Sequence, residues 1–197
     1  MDASRRARRE ASSARILYVC SANRCRSPFA EAVLRRAAGS LPLVVTSAGF
    51  REPGLPTPRA GRDVARERGL DLGSHRSRRL DDAILHRSDL ILTMERSHSR
   101  EIVARLPALH PRVFTVEQFD RWSVANAPDA PADLRPWLEE VRADAPTRDL
   151  LGRSDADDTF DPVSSPRPAW RDMADRFERH ADHLARWLFH GGPQSRS

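Results

Sequence analysis

The sequence contains no lysine, and all 33 of its basic residues are arginine. They stand against 28 acidic residues, so the net charge of +5 is small for 197 residues. A nucleic-acid-binding domain normally gathers its basic residues on one face or along one helix, whereas the arginines here are scattered and are densest in the N-terminal segment MDASRRARRE. We therefore expect no nucleic-acid partner.

Long apolar runs are also missing. No segment approaches the roughly 20 apolar residues that a membrane-spanning helix needs, and no apolar stretch of signal-peptide type follows the basic N-terminus. From these two absences we expect no membrane partner, and we predict a cytoplasmic protein.

Cysteine is scarce as well, because the chain has only Cys20 and Cys25, five residues apart. A secreted domain held together by disulfides uses more cysteines, spread more widely. In a reducing compartment a close pair indicates reactivity or redox protection, although cysteine is also common as a small buried apolar residue.

Short apolar segments alternate with helical patterns along the chain. The predicted strands are 16–19, 43–46, 89–94 and 113–116. The predicted helices are 29–38, 59–68, 97–106 and 167–188. Strands that alternate with helices form a parallel sheet covered on both faces. We therefore predict a single α/β domain, with a four-stranded parallel twisted sheet between two layers of helices.

The domain is predicted to span residues 15–190. Residues 1–14 are predicted to be a disordered basic tail, and residues 191–197 a flexible tail. The segment at about 123–159 is rich in alanine, aspartate and proline. We interpret it as an insertion with one helix at 133–142 and surface loop elsewhere.

The strongest chemical signal is the segment CSANRCRS, residues 20–27, which we call the phosphate loop. Sites in open α/β sheets form at the carboxyl ends of strands, and a loop that leads into a helix turns backbone N–H groups toward an anion. Arg26 adds paired donors suited to phosphate oxygens. The same positive field favours the thiolate of Cys20, which is the nucleophilic form.

The other residues of the phosphate loop have supporting roles in this interpretation. Ser27 can donate a hydrogen bond to the sulfur, and Asn23 suits a tight, left-handed turn. The remaining members contribute backbone amides to the phosphate site: Ser21, Ala22, Arg24 and Cys25. A cysteine followed after five residues by an arginine is a pattern that often occurs by chance. The strand before the loop and Pro28, which suits the start of a helix, support the interpretation here.

The segment VCSANRCRSPFAE resembles the signature of the low-molecular-weight protein-tyrosine phosphatase family. The resemblance continues in TSAGF, SHRSRRL, DLILTMERSH and the pair Asp161-Pro162, and it covers about residues 15–188 except for 123–159. It implies a phosphomonoester hydrolase with Cys20 as nucleophile, Arg26 as phosphate ligand and Asp161 as general acid and base. It implies no metal or other cofactor, a phosphorylated protein or small phosphomonoester as substrate, and inorganic phosphate as product.

The resemblance also implies roles for two further residues. A cysteine at the position of Cys25 can bond reversibly to the nucleophile under oxidation, and a packed thiol without a role is the alternative. His75 occupies a position thought to support Asn23, and a surface histidine is the alternative. The other histidines considered have no metal-ligand spacing and are predicted to be solvated helix residues: His98, His180, His183 and His190.

Two departures from the family pattern concern Ala22, where glycine is frequent, and the residues after Pro162. Tyrosine-selective members have aromatic residues there, whereas this chain has Val163-Ser164-Ser165 and only Phe50 as an apolar wall. The pattern therefore predicts phosphomonoester chemistry more firmly than a preference for aryl phosphates.

Two alternative functions stay open from the sequence. Arsenate mimics phosphate, so an arsenate reductase coupled to an external small thiol fits the same loop. A phosphate-dependent binding module is the other alternative, and the presence together of Cys20, Arg26 and Asp161 argues against it.

Overall fold

The computed structural model describes residues 13–126, 134–152 and 154–189. The tail predicted at 191–197 lies outside the described residues, as does the tail predicted at 1–14 except for its last two residues. The first strand begins at Ala14, which therefore belongs to the sheet.

The core of the fold is one four-stranded sheet in which every pair of neighbouring strands is parallel. The strand order is β2-β1-β3-β4. The strands are β1 Ala14–Cys20, β2 Leu43–Gly49, β3 Leu90–Thr93 and β4 Val113–Thr115. This confirms the predicted sheet and places the carboxyl ends of all four strands at one edge.

Seven α-helices connect and cover the strands within the described ranges: α1 Arg26–Ala38, α2 Arg59–Glu67, α3 Asp82–Arg87, α4 Arg96–Arg105, α5 Val116–Ser123, α6 Leu134–Val141 and α7 Arg167–Phe189. Two 3₁₀ helices lie at Pro107–Arg112 and Thr147–Leu150. The short helices α3 and α5 were not predicted. α5 begins with a capping box at Thr115 and Gln118, a local signal that identifies a helix start from sequence.

The two faces of the sheet bury two separate apolar clusters, because side chains alternate along a strand. Ile16 and Tyr18 of β1 pack with α1, α2 and α7, while Leu17 and Val19 pack with α3 and α4. The predicted amphipathic helix at the C-terminus is confirmed, since Trp170 and other regularly spaced apolar residues of α7 are buried. Helices therefore lie on both faces, as predicted.

The described residues of the segment at 123–159 include α6, a 3₁₀ helix and buried side chains outside α6. The predicted helix at 133–142 is confirmed as α6, whose Leu134 and Leu138 are buried. Among the other described residues of this segment most are exposed, as predicted for surface loop, but Leu150 and Asp157 are buried and depart from that prediction. Asp157 tolerates burial because arginine side chains bind its carboxylate.

The prediction of solvated histidines is wrong for His98 and His180, which are 5% and 2% exposed. The ring of His180 lies 2.8 Å from the Tyr18 hydroxyl and 2.6 Å from an Asp120 carboxylate oxygen. A histidine with both ring nitrogens satisfied can be buried at little cost. His190 lies outside the described residues. In the part of the chain that the structure describes, no helix combines the length and the apolarity required to cross a bilayer.

Candidate active site

The phosphate loop starts where β1 ends, so Cys20 lies at the carboxyl edge of the sheet. Its neighbour in the register is Gly49, the last residue of β2. A Cβ atom on Gly49 would lie 2.6 Å from the Asn23 nitrogen and 2.9 Å from backbone atoms of Ala22 and Cys20. Glycine at this position therefore lets the phosphate loop fold closely against β2.

Asn23 organises the loop from inside. Its φ of 51° is the left-handed value predicted from the sequence, and its side chain is fully buried. Its amide nitrogen donates to the hydroxyls of Ser27 at 3.0 Å and Ser47 at 2.7 Å, and its amide oxygen accepts from the Arg78 backbone at 2.8 Å. These bonds hold the turn from three sides.

Cys20 and the backbone of the phosphate loop face the same site. The Cys20 sulfur lies 3.0 Å from the Ser27 hydroxyl and accepts from the Asn23 backbone N–H at 3.2 Å. Within the described ranges, the backbone N–H groups of Ala22, Arg24 and Cys25 have no protein acceptor. Donors that lack acceptors, gathered around a sulfur atom at a helix N-terminus, form a site for an anion.

Arg26 is 2% exposed, and its guanidinium is held by oxygen atoms of Glu95 and of the segment 159–161. It donates to Glu95 at 2.6 Å and to the Thr159 carbonyl at 2.9 Å, and it forms an ion pair with Asp161 at 2.8 Å. Its Nε is buried and has no partner among the described residues. Burial opposes the charge, but the attraction of Asp161, Cys20 and Glu95 outweighs it and raises the pKa of Arg26 above its ordinary value.

Asp161 belongs to a segment that we call the acid loop, residues 157–163. Its side chain is 34% exposed, and its second carboxylate oxygen accepts from the Val163 N–H at 3.1 Å. The Thr159 N–H donates to the Met94 carbonyl at 2.7 Å, directly after β3. The acid loop is therefore fixed to the same sheet edge as the phosphate loop.

Asp157 anchors the start of the acid loop. It is 1% exposed and binds the guanidinium groups of Arg96 and Arg121 as well as the Gln118 amide at 2.9 Å. Burial favours the neutral acid, but the hydrogen bonds from Arg121 and Arg96 prevail and lower the pKa of Asp157 below its ordinary value. The aspartate-rich composition of 155–158 hid this residue, since spacing does not distinguish it from its neighbours.

Two residues after β3 complete the site, although sequence reasoning assigned them no functional role. Glu95 directly precedes α4, but its side chain makes no cap hydrogen bond to the helix and instead accepts from Arg26. His98 lies 3.0 Å from the Ser21 hydroxyl and stacks on Phe50 with ring centroids 5.5 Å apart. Their position just after a strand's carboxyl end is the signal that could have identified them.

Burial acts in opposite directions on the pKa values of Glu95 and His98. Partial burial raises the pKa of Glu95, but the hydrogen bond from Arg26, the charges of His98 and Arg26 and the hydrogen bond from Ser97 together leave it below the ordinary value. Burial lowers the pKa of His98 to about 4, against the attraction of Glu95. The His98 ring is therefore neutral at pH 7, and it lies buried between the Ser21 hydroxyl and the Phe50 ring.

Cys25 lies in the loop but differs from Cys20 in its surroundings. Both cysteines are free and buried. Burial raises the pKa of the Cys25 thiol well above its ordinary range, and the Asp161 carboxylate raises it further. Cys25 is therefore a neutral thiol beside the carboxylate of the acid loop.

The remaining predicted residues also lie at the loop. The His75 ring, which is half-buried, lies 2.7 Å from the Asn23 carbonyl oxygen, so it contacts the residue that the resemblance implied. Ala22 does not have a positive φ, because Asn23 is the one non-glycine residue with that conformation in the described ranges. Alanine therefore fits at position 22 without strain.

Comparison with known proteins gives a consistent assignment. The profile of the family described as low molecular weight phosphotyrosine protein phosphatase matches residues 15–142. A probable low molecular weight protein-tyrosine-phosphatase, EpsP of Ralstonia nicotianae, is 38% identical over 113 residues, which are 56% of this chain and 76% of that protein.

Two further similarities are to a protein named for a different phosphorylated residue and to a solved phosphatase structure. A protein-arginine-phosphatase of Geobacillus stearothermophilus is 37% identical over 107 residues, covering 53% of this chain and 70% of that protein. The crystal structure of a low molecular weight protein tyrosine phosphatase from T. tengcongensis superposes with a TM-score of 0.65 at 27% identity, covering 87% of this chain and 97% of that one.

Proposed function

Because the chain belongs to the low-molecular-weight phosphotyrosine protein phosphatase family, we propose that it hydrolyses phosphomonoesters through a cysteinyl phosphate on Cys20. The observation that carries this proposal is the grouping within one loop of a thiol, three backbone N–H groups and the Arg26 Nε, all four of these donors lacking an acceptor among the described residues. A phosphate dianion supplies oxygen acceptors for all of these donors.

In the first step the Cys20 thiolate attacks phosphorus. An S–P bond forms while the bond from phosphorus to the ester oxygen breaks, and the loop amides and Arg26 stabilise the charge on the phosphoryl oxygens. The departing oxygen takes a proton from Asp161 in its acid form. Ser27, 3.0 Å from the sulfur, stabilises the thiolate before attack.

In the second step water attacks the cysteinyl phosphate. Asp161, now a carboxylate, accepts a proton from that water, the S–P bond breaks, and Cys20 leaves as a thiolate while inorganic phosphate is released. The 34% exposure of the Asp161 side chain is consistent with contact to both a leaving group and solvent. Chemistry of this kind depends on reduced cysteine, which agrees with free thiols and with the cytoplasmic location expected from the sequence.

We propose phosphotyrosine as the preferred phosphoresidue. Phe50 is half-buried, its N–H donates to the Ser21 carbonyl, and its ring is stacked on the buried His98 ring. An aromatic face fixed beside the phosphate loop favours an aromatic leaving group. The relative named as a protein-arginine-phosphatase makes phosphoarginine the natural competitor in an assay.

The test compares wild type with Cys20→Ser and Asp161→Asn on aryl phosphates of graded leaving-group ability and on phosphotyrosyl and phosphoarginyl peptides. Cys20→Ser should lose at least about a thousandfold in turnover, because serine is not ionised at neutral pH. Asp161→Asn should lose roughly a hundredfold or more with poor leaving groups and less with good ones. Rapid acid quenching of wild type with radiolabelled ester should leave the label on Cys20.

Full activity of Cys20→Ser would refute the covalent mechanism. Equal losses of Asp161→Asn across all leaving groups would remove Asp161 as the acid. Faster hydrolysis of the phosphoarginyl peptide would overturn the proposed preference without affecting the role of Cys20.

A further inference from the structure

A group of arginines borders the phosphate loop on the β2 side, away from the acid loop. Arg24 belongs to the phosphate loop and donates from its Nε to the Pro56 carbonyl at 2.9 Å. Pro56 pairs with Arg76 in an isolated antiparallel bridge, and the Arg51 N–H donates to the Ser21 carbonyl at 3.0 Å. We call Arg24, Arg51 and Arg76 the basic rim.

The basic rim lacks the ion pairs that arginines make elsewhere in the fold. Arg68, for example, binds both Asp175 and Glu178. No rim arginine pairs with a carboxylate anywhere in residues 13–126, 134–152 or 154–189, and the exposed side chains of Arg51 and Arg76 face solvent.

The local sequence does not balance this charge. Residues 49–58 and 73–80 contain four arginines and one acid, Glu52. Like charges close together repel one another, so the interaction among the charges of the basic rim does not stabilise the fold. The same charges raise the local concentration of an anionic partner and orient it as it approaches.

We propose that the basic rim binds acidic side chains next to the phosphorylated residue, so that the substrate is an acidic phosphopeptide segment of a protein. This inference rests on the proposed function, since it places the phosphorylated residue in the phosphate loop. A small aryl phosphate has no second acidic group, so it cannot use the rim. The rim therefore determines which protein segments are substrates while the loop performs the chemistry.

The experiment uses two phosphotyrosyl peptides of equal length. One has aspartate and glutamate on both sides of the phosphotyrosine, and the other has asparagine and glutamine at the same positions. We measure kcat/KM for both peptides with wild type, with the double variant Arg51→Gln/Arg76→Gln and with Arg87→Gln. Arg87 is a matched control because it is exposed, unpaired among the described residues, and lies just before β3 at the opposite edge of the sheet.

Wild type should prefer the acidic peptide by about tenfold, because each exposed ion pair contributes a factor of about two to five. The double variant should reduce this preference to about twofold or less, and Arg87→Gln should retain it. Raising the salt concentration from about 0.05 M to about 0.5 M should remove most of the wild-type preference.

The outcomes separate this inference from the proposed function. If wild type hydrolyses p-nitrophenyl phosphate but has the same kcat/KM for the two peptides, the basic rim does not select substrates. The inference then fails while the proposed function stands. Equal losses in the double variant and in Arg87→Gln would assign the preference to net charge and overturn the inference as well. Failure to hydrolyse p-nitrophenyl phosphate would overturn the proposed function and this inference with it.

Discussion

The phosphate loop and the acid loop meet at Arg26, but they are built in different ways. The phosphate loop is eight consecutive residues that bind one another and the adjoining end of β2, with Asn23 buried at its centre. The acid loop is distant in sequence and is attached by side chains of α4 and α5, which bind Asp157. Its functional residue, Asp161, stays one third exposed.

This difference agrees with the two tasks that the proposed mechanism assigns to the loops, which are to stabilise charge and to transfer protons. A site that stabilises charge in a transition state works best when its donors are fixed before the substrate arrives. A group that gives and takes protons must meet a leaving group and then a water molecule. The first task favours local, buried hydrogen bonds, and the second favours a segment anchored at one end.

The largest effect should follow from disturbing the phosphate loop through Gly49→Ala. The added Cβ would lie 2.6 Å from the Asn23 nitrogen, so the loop backbone must move. A misplacement of about 1 Å can cost roughly a hundredfold in rate, and we expect a comparable loss in kcat/KM. The inhibition constant of inorganic phosphate should rise in parallel, because the phosphate site itself is altered.

Gly73→Ala is the control, since its Cβ would meet only an Asp71 side-chain oxygen at 3.0 Å. It should retain turnover and phosphate inhibition close to wild type. Normal phosphate inhibition in a folded Gly49→Ala variant would show that the loop does not depend on close contact with β2.

A smaller effect should follow from loosening the acid loop through Asp157→Asn. The substitution removes the negative charge that Arg96 and Arg121 share, and an amide N–H then faces their donors. Turnover of esters with poor leaving groups should fall by about tenfold, as general acid catalysis contributes at least that much. The inhibition constant of phosphate should change little, which would separate the two loops experimentally.

Asp155→Asn is matched to this variant in chemistry and position, but Asp155 is exposed. It should behave like wild type in both measurements. An Asp157→Asn variant that loses phosphate affinity and turnover together would show that the two loops are one unit.

Replacement of His98 should have the smallest effect on turnover at neutral pH. Its effect should instead be seen in how the free energy of unfolding depends on pH. The pKa of His98 is about 4 in the folded protein and about 6.5 in an unfolded chain. As pH falls through this interval the unfolded chain binds a proton that the folded protein does not, so the free energy of unfolding decreases. The loss should be about 2 kcal/mol between pH 7.5 and pH 5.

Urea unfolding at several pH values measures this loss. His98→Gln should flatten the pH dependence, whereas His86→Gln, an exposed residue of α3, should not. Glu95 has a lowered pKa and contributes only at more acidic pH. A wild-type stability that stays constant down to pH 5 would show that His98 accepts a proton in place.

Sequence reasoning identified the phosphate loop because its parts are contiguous. The strand, the left-handed Asn23, the arginine and the start of α1 occur in order within a few residues, and each has a local signature. The same reasoning missed Glu95, His98 and Asp157, whose roles depend on partners far away in sequence. It also interpreted much of the segment at 123–159 as surface loop, because buried ion pairs leave no periodic pattern of apolar residues.

The guanidinium of Arg26 already binds the Asp161 carboxylate in this structure. In the proposed mechanism an incoming phosphoryl group displaces that carboxylate, which frees Asp161 to give its proton to the ester oxygen. When inorganic phosphate starts to leave, the same carboxylate can return to Arg26 and compete with it. On this mechanism the Arg26–Asp161 ion pair shortens the time for which the product stays bound.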